Sequence, residues 1–314
     1  MKLKKFGVVT GLSLALIAAG CGAEEEDTTE IDENGDEDQV EENGDGEEEA
    51  GSDFGEEVDY TITGIDAGAG VTASTEEVLE AYDLEDWSLQ TSSGAAMTQA
   101  LGDAFDNEEP IIVTGWNPHW KFAEYDLKYL EDTQGTFGEG EDIQTFARQG
   151  LEEDHPEAFE VLDNFYWEGE NMNEVMLNIN EGADEEEAAR DWVDANEDMV
   201  SEWTNGLDAV DGEEIELVYV AWDSEIASTN VVAQVLEDLG YDVTITPLEA
   251  PYMFQSVAAG DADGMVAAWL PITHEHLLED FEDDIVSLGV NLEGAQTGLV
   301  VPEYVDIDSI EDLK

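Results

Sequence analysis

Basic residues and cysteines are scarce in this chain. Eight lysines and arginines stand against 82 aspartates and glutamates among 314 residues, and Lys2, Lys4 and Lys5 account for three of the eight. Beyond those three, five basic residues remain for the 82 acidic ones, a net charge of −77 with the histidines neutral. Nucleic-acid binding, which needs clustered Lys and Arg against phosphate, is excluded. The single cysteine, Cys21, excludes an intramolecular disulfide. The chain has no G-x-S-x-G, no P-loop, no cysteine nucleophile and no zinc-binding helix, so neither an enzyme nor a cofactor is expected.

The amino terminus is the most apolar segment. After the three lysines, Phe6 to Ala19 is relieved only by small or hydroxyl residues. It is too short to span a bilayer as a mature helix and has the form of a secretory signal, residues 1–20. Small residues before Cys21 resemble a bacterial lipobox, with Ala18 where leucine is usual, so Cys21 is expected to carry a lipid that holds the chain on the extracytoplasmic face of the cell membrane. Residues 21–57 are then a tether. They are almost wholly Glu, Asp, Gly, Thr and Asn and bury too little apolar surface to order themselves. A coil of roughly 36 residues spans about 30–35 Å before self-repulsion extends it. The acidity as a whole fits a saline medium, where a Debye length of about 3 Å at 1 M salt screens the like charges.

The rest of the chain carries one pattern twice. Residues 60–116 read as strand (60–65), helix (76–82), strand (87–91), helix (95–105) and strand (111–115), and residues 215–269 repeat that order. Two βαβαβ units imply two small, mostly parallel sheets whose strand ends face each other, an α/β clamp of two lobes. Residues 121–208 read as largely helical. Gly298–Pro302 reads as a strand crossing back and Asp308–Asp312 as the start of a last helix. The expected division is 58–130 for the first part of lobe 1, 131–285 for lobe 2, and 286–314 for the return to lobe 1, with a hinge where the chain crosses.

Three tryptophans share a local grammar. Trp116, Trp222 and Trp269 each close a short apolar run and precede a polar or chain-turning residue, which places them at the carboxyl ends of parallel strands, where open α/β sheets bind ligands. Converging indoles make an electron-rich box for a quaternary ammonium. The alternative is plain core, the fate expected for Trp87, Trp167, Trp192 and Trp203. Gly68-x-Gly70-x-x-Ala73 matches a loose dinucleotide fingerprint, but the second strand ends Gln90-Thr91-Ser92-Ser93 without the acid a ribose requires. The amides of Gly70 and Val71, near the start of a helix that Ser74 and Glu77 would cap, suit a smaller anion such as a carboxylate. His274, past Pro271, is either a surface residue or a hydrogen-bond donor to that anion. The His274-x-His276 spacing is too unspecific for a metal, and no metal is expected.

With these motifs in view the chain resembles the glycine-betaine-binding lipoproteins of bacterial ABC-type osmoprotectant uptake systems. The likeness runs from Ile62 to Leu313. It is densest in Gly64-Ile65-Asp66-Ala67-Gly68-Ala69-Gly70, Thr114-Gly115-Trp116-Asn117-Pro118-His119-Trp120, residues 125–130, residues 221–230 and Ala268-Trp269-Leu270-Pro271-Ile272-Thr273-His274. The resemblance implies a two-lobed, periplasmic-binding-protein-like fold with its ligand in the interlobe cleft, its segments circularly permuted relative to some members. It implies a cage of Trp116, Trp222 and Trp269 around a trimethylammonium, and a carboxylate met by the amides of Gly70 and Val71 and by His274. Its partners would be glycine betaine and an ABC permease with its ATPase on separate chains. Choline, carnitine or proline betaine is the alternative ligand; a halophilic hydrolase or an acidic surface or adhesion protein is the alternative outside the class.

Overall fold

The computed structural model describes residues 54–314. The expected signal, Cys21 and the tether as far as residue 53 lie outside the described residues. Residues 54–57, which the sequence assigns to the tether, form a helical turn, Phe54–Glu57. Phe54 stacks on Trp87 with ring centroids 6.0 Å apart, so the apolar residue that ends the acidic run finds a partner.

The first unit contains β1 (Thr61–Thr63), β2 (Ser88–Gln90) and β3 (Val113–Asn117), joined by the helices Gly70–Ala81 and Gly94–Asp106. β1 lies between β2 and β3, and both pairings are parallel. After β4 (Leu127–Tyr129) and β5 (Glu141–Arg148), five short helices between residues 151 and 203 lead to the second unit. That unit has β6 (Glu214–Tyr219), the helix Asp223–Leu239, β7 (Asp242–Pro247), the helix Ala250–Ala259 and β8 (Gly264–Leu270). Its parallel order repeats the first, with β6 between β7 and β8. Both units stand where the alternation of apolar runs and helical periodicity puts them.

One strand joins the two sheets. β9 (Ile285–Pro302) is 18 residues long. Residues 285–295 pair antiparallel with β5, while 296–300 pair with β3 and 300–302 with β4. The ladder therefore runs β2-β1-β3-β9-β5-β8-β6-β7, with β4 also on β9. The sequence places the return at residue 286; the pairing changes hands near 295–296. The opposite crossing, residues 131–140, is anchored at its start by Asp132. Its carboxylate accepts from Tyr82 Oη at 2.5 Å, Gly135 N at 3.0 Å and Phe137 N at 2.8 Å. The last segment is a 3-10 turn, Ile310–Leu313, in which the Ser309 side chain accepts from the Glu311 amide and shares a capping box with Asp312.

The remaining tryptophans build core. Trp167 meets Trp192 edge-on at 5.5 Å, Trp192 stacks on Trp203 at 6.1 Å, and Phe165 meets Trp203 at 5.0 Å, all among the helices of residues 156–203. Such aromatic pairs add about 0.5–1.5 kcal/mol each beyond the area they bury. Trp87 is buried too, and its indole donates to Leu313 O at 2.8 Å, tying β2's entry to the carboxyl terminus.

Candidate functional site

Parallel strands end in loops at one edge of each unit, and there the three selected tryptophans meet. Trp116 is in β3, opposite Thr297 of β9. Trp269 is the penultimate residue of β8, a strand buried throughout, opposite Ile143 of β5. Trp222 lies beyond β6, as the N-cap of the helix Asp223–Leu239, its amide turned back onto Val220 O at 2.7 Å. The three indoles line one cavity, whose non-atom space of about 280 Å³ includes open solvent. Ile65, Ala69, Gly70 and Val71 form its wall from the first unit, Thr273 adds one from the second, and Thr297 of the shared strand closes it. Its nine lining residues include no charged side chain, although the chain carries 82 acidic ones.

Gly70 and Val71 start a helix. The structure begins it at Gly70 with Ala69 as N-cap and no side-chain cap, not at residue 76 with Ser74 and Glu77. The first amides of a helix have no intrahelical acceptor and sit at the positive end of its dipole, which suits Gly70 and Val71 to an anion. Gly70 is also a point of close approach. A Cβ there would lie 2.7 Å from Thr273 Cα and 2.9 Å from Thr273 O, so only glycine lets the two units meet. Thr273 is held in turn by Glu141, whose carboxylate accepts from Thr273 N at 2.9 Å and from Oγ1 at 2.7 Å. Burial pushes the Glu141 carboxyl up, against these hydrogen bonds.

His274 is not among the nine lining residues but touches two of them, Trp222 and Trp269. It stacks on Trp222 with planes 9° apart and centroids at 5.8 Å, and is almost wholly buried. Its Nδ1 accepts from Trp269 N at 3.0 Å, which puts the proton of the neutral ring on Nε2. Burial lowers its pKa to about 3, so the ring is neutral at any ordinary pH. Nε2 is a buried donor with no partner among the described residues.

Several residues that pattern reasoning passed over support the cage. Trp222 Nε1 donates to Asp66 Oδ2 at 3.1 Å, from one unit to the other. A second bridge crosses nearby: His119 Nε2 meets Asp223 Oδ2 at 3.1 Å, while His119 Nδ1 accepts from Lys121 N at 3.1 Å. Burial and the neighbouring Lys121 bring His119 down to about 4, so this is a neutral imidazole donating to a carboxylate. Lys121 is fully buried and its Nζ lies 4.0 Å over the Trp116 ring, burial holding its pKa well below the usual lysine range. Glu225, also fully buried, accepts from Val220 N at 2.6 Å and so shapes the turn that carries Trp222; burial, aided by Asp66, keeps its carboxyl well above the usual range. The sequence signal for these residues is proximity alone, since each lies within five residues of one of the three tryptophans or in the first glycine loop. His276 lies two residues beyond His274, and no group of residues suited to a metal occurs among the described residues.

Two parallel units joined by antiparallel strands, with an aromatic cavity at the meeting of their strand ends, define the class: a two-lobed, periplasmic-binding-protein-like receptor. Residues 30–195 and 213–314 match OpuAC, the substrate binding domain of ABC-type glycine betaine transport system, and the chain belongs to that family. It is 54% identical over 268 residues to the glycine betaine/carnitine transport binding protein GbuC of Listeria monocytogenes, a match covering 84% of this chain and 89% of the relative. Among solved structures it is similar to lactococcal OpuAC, closed and complexed with glycine betaine, at 48% identity and a TM-score of 0.46, over 48% of this chain and 59% of that one. A choline binding protein of an ABC transporter, in complex with choline, matches at 24% identity and a TM-score of 0.42, over 49% of this chain and 55% of that one. In both, less than two thirds of the solved chain is matched. The chain is thus a substrate-binding component of an ABC transport system.

Proposed function

We propose that the cavity binds glycine betaine. The observation that carries this reading is a cavity of three indoles without a charged side chain, in a chain otherwise crowded with carboxylates. A primary ammonium would demand oxygen acceptors, whereas a trimethylammonium donates no hydrogen bond and is held by aromatic faces. The other pole of the ligand is a carboxylate, suited to the leading amides of the helix at Gly70 and Val71 and to the unpartnered Nε2–H of His274. GbuC, the Listeria relative, is named for glycine betaine and carnitine, which fits the same two poles.

In this reading the protein is an extracytoplasmic receptor that hands its ligand to a membrane permease driven by an ATPase on separate chains. Cys21 carries the lipid anchor and the acidic tether gives the receptor reach. Calorimetric titration at high salt with glycine betaine, carnitine, proline betaine, choline and glycine tests the ligand. Tight binding of glycine betaine and none of glycine is expected; equal binding of glycine would remove the cage from the explanation. For the anchor, Cys21→Ala should lose a metabolic lipid label and release the protein from the membrane fraction.

A further inference from the structure

Trp222 lines two spaces, the cavity and a larger open cleft whose rim includes Asp66, Gly68, Ser93 and Leu248, while one face of its ring stacks on His274. The backbone of Trp222 is fixed within its own lobe by the turn onto Val220 O. Its indole N–H is held from the other lobe, by Asp66 Oδ2 at 3.1 Å. Asp66 is itself rigid: its carbonyl accepts from Thr72 Oγ1 at 2.8 Å and from Ala69 N at 3.2 Å, which ties it to the start of the helix that offers Gly70 and Val71.

We propose that Asp66 is a positioning residue that latches the Trp222 ring across the cleft and thereby sets how fast ligand leaves. The inference rests on the cavity being the betaine site. When the lobes are apart, Asp66 and Trp222 belong to separate surfaces, so encounter with ligand does not involve their bond. Once the lobes meet, the bond holds the ring that lines both cavity and cleft, and release requires it to break. A charged acceptor makes this the strong kind of hydrogen bond, and by drawing on the N–H it enriches the ring face that meets the cation. Its loss therefore acts on dissociation, where most affinity differences between related complexes lie.

Stopped-flow displacement of glycine betaine, followed by tryptophan fluorescence, measures the effect. D66A should release ligand about tenfold faster with an association rate within about twofold of the wild type, and D66N, which keeps a carbonyl acceptor, should fall between. In a W222F background, which has no N–H to hold, D66A should add nothing. A merely structural role for Asp66 would speed release equally in both backgrounds, and that result, or an unchanged rate in D66A alone, overturns the proposal. The bond is also read directly at saturating glycine betaine, where the lobes have met, from the indole ¹H–¹⁵N resonance of Trp222, assigned by its loss in W222F. Movement of that resonance in D66A supports the latch and its constancy overturns it, whereas failure of the wild-type protein to bind glycine betaine at all would sink the reading of the cavity.

Discussion

In the proposed site the three indoles and His274 contribute through two different kinds of contact. A desolvated cation–π contact is worth roughly 1–2 kcal/mol, so Trp116→Ala, Trp222→Ala or Trp269→Ala should each weaken glycine betaine binding about tenfold or more, and the Phe variants distinctly less. His274→Ala removes a donor to a charged oxygen, about 1.5–3 kcal/mol, and should cost glycine betaine more than choline, which has no carboxylate. Titration of the betaine panel with each variant checks both. The buried ionisable groups behind the cage predict a pH dependence. His119 and His274 bind protons less readily folded than unfolded, with pKa values near 4 and 3, so their contribution to stability declines as pH falls below the ordinary histidine value. Glu225, with its carboxyl raised by burial, holds its proton more tightly folded than unfolded and contributes in the opposite direction as pH falls. Glu225→Gln deletes that opposing contribution. Its stability should therefore drop more steeply than the wild type's between pH 7 and about 5, by up to about 1.4 kcal/mol per pH unit, as thermal melts in molar KCl would record.

At the scale of elements, the helix Gly70–Ala81 and the loop after β8 meet at a single point, and its glycine is a test of closure. Ordinarily Gly→Ala in a helix stabilises, by about 0.4–1 kcal/mol. Here the new Cβ would lie 2.7 Å from Thr273 Cα, across the interface between units. Gly70→Ala should leave the melting temperature of the free protein unchanged or slightly raised, yet weaken betaine binding at least tenfold, as melts and titration together would show. The two βαβαβ units, and with them the tryptophans at their strand ends, were legible because buried parallel strands are short, continuous apolar runs. Of the connecting strands only the end of β9, residues 298–302, was legible. β5 begins Glu141-Asp142 and keeps neither a continuous apolar run nor a strict alternation, and β9 contains Gly289 and Gly294 at positive φ, +98° and +76°, beside register shifts in its pairing with β5. Glycine inside a strand reads as a turn until the bulge it serves is seen. The supporting contacts of the cage were hidden for a related reason. Asp66 and Asp223 look like two more acidic residues of a solvated surface, and only the fold shows them reaching across to Trp222 and His119.

The whole molecule is governed by its charge. Of the five basic residues beyond Lys5, Lys128, Arg148, Arg190 and Lys314 are each paired with at least one carboxylate, and Lys121 is buried against Trp116. The excess of negative charge therefore faces itself. Exposed ion pairs are worth at most about 1 kcal/mol each and cannot offset it. Salt can: raising KCl from tens of millimolar to about 1 M shortens the Debye length from more than 10 Å to about 3 Å. Thermal stability should rise steeply over that range, and more than in sucrose of equal osmolality, which acts by exclusion from the surface and not by screening. Equal stabilisation by sucrose would show that exclusion, not charge, is the cause. Binding should respond differently from folding. Glycine betaine is a net-neutral zwitterion and the cavity lining carries no charged side chain, so its affinity should change little across the same KCl series. A large loss of affinity with salt would mean that a surface charge, and not the indole cage, holds the cation.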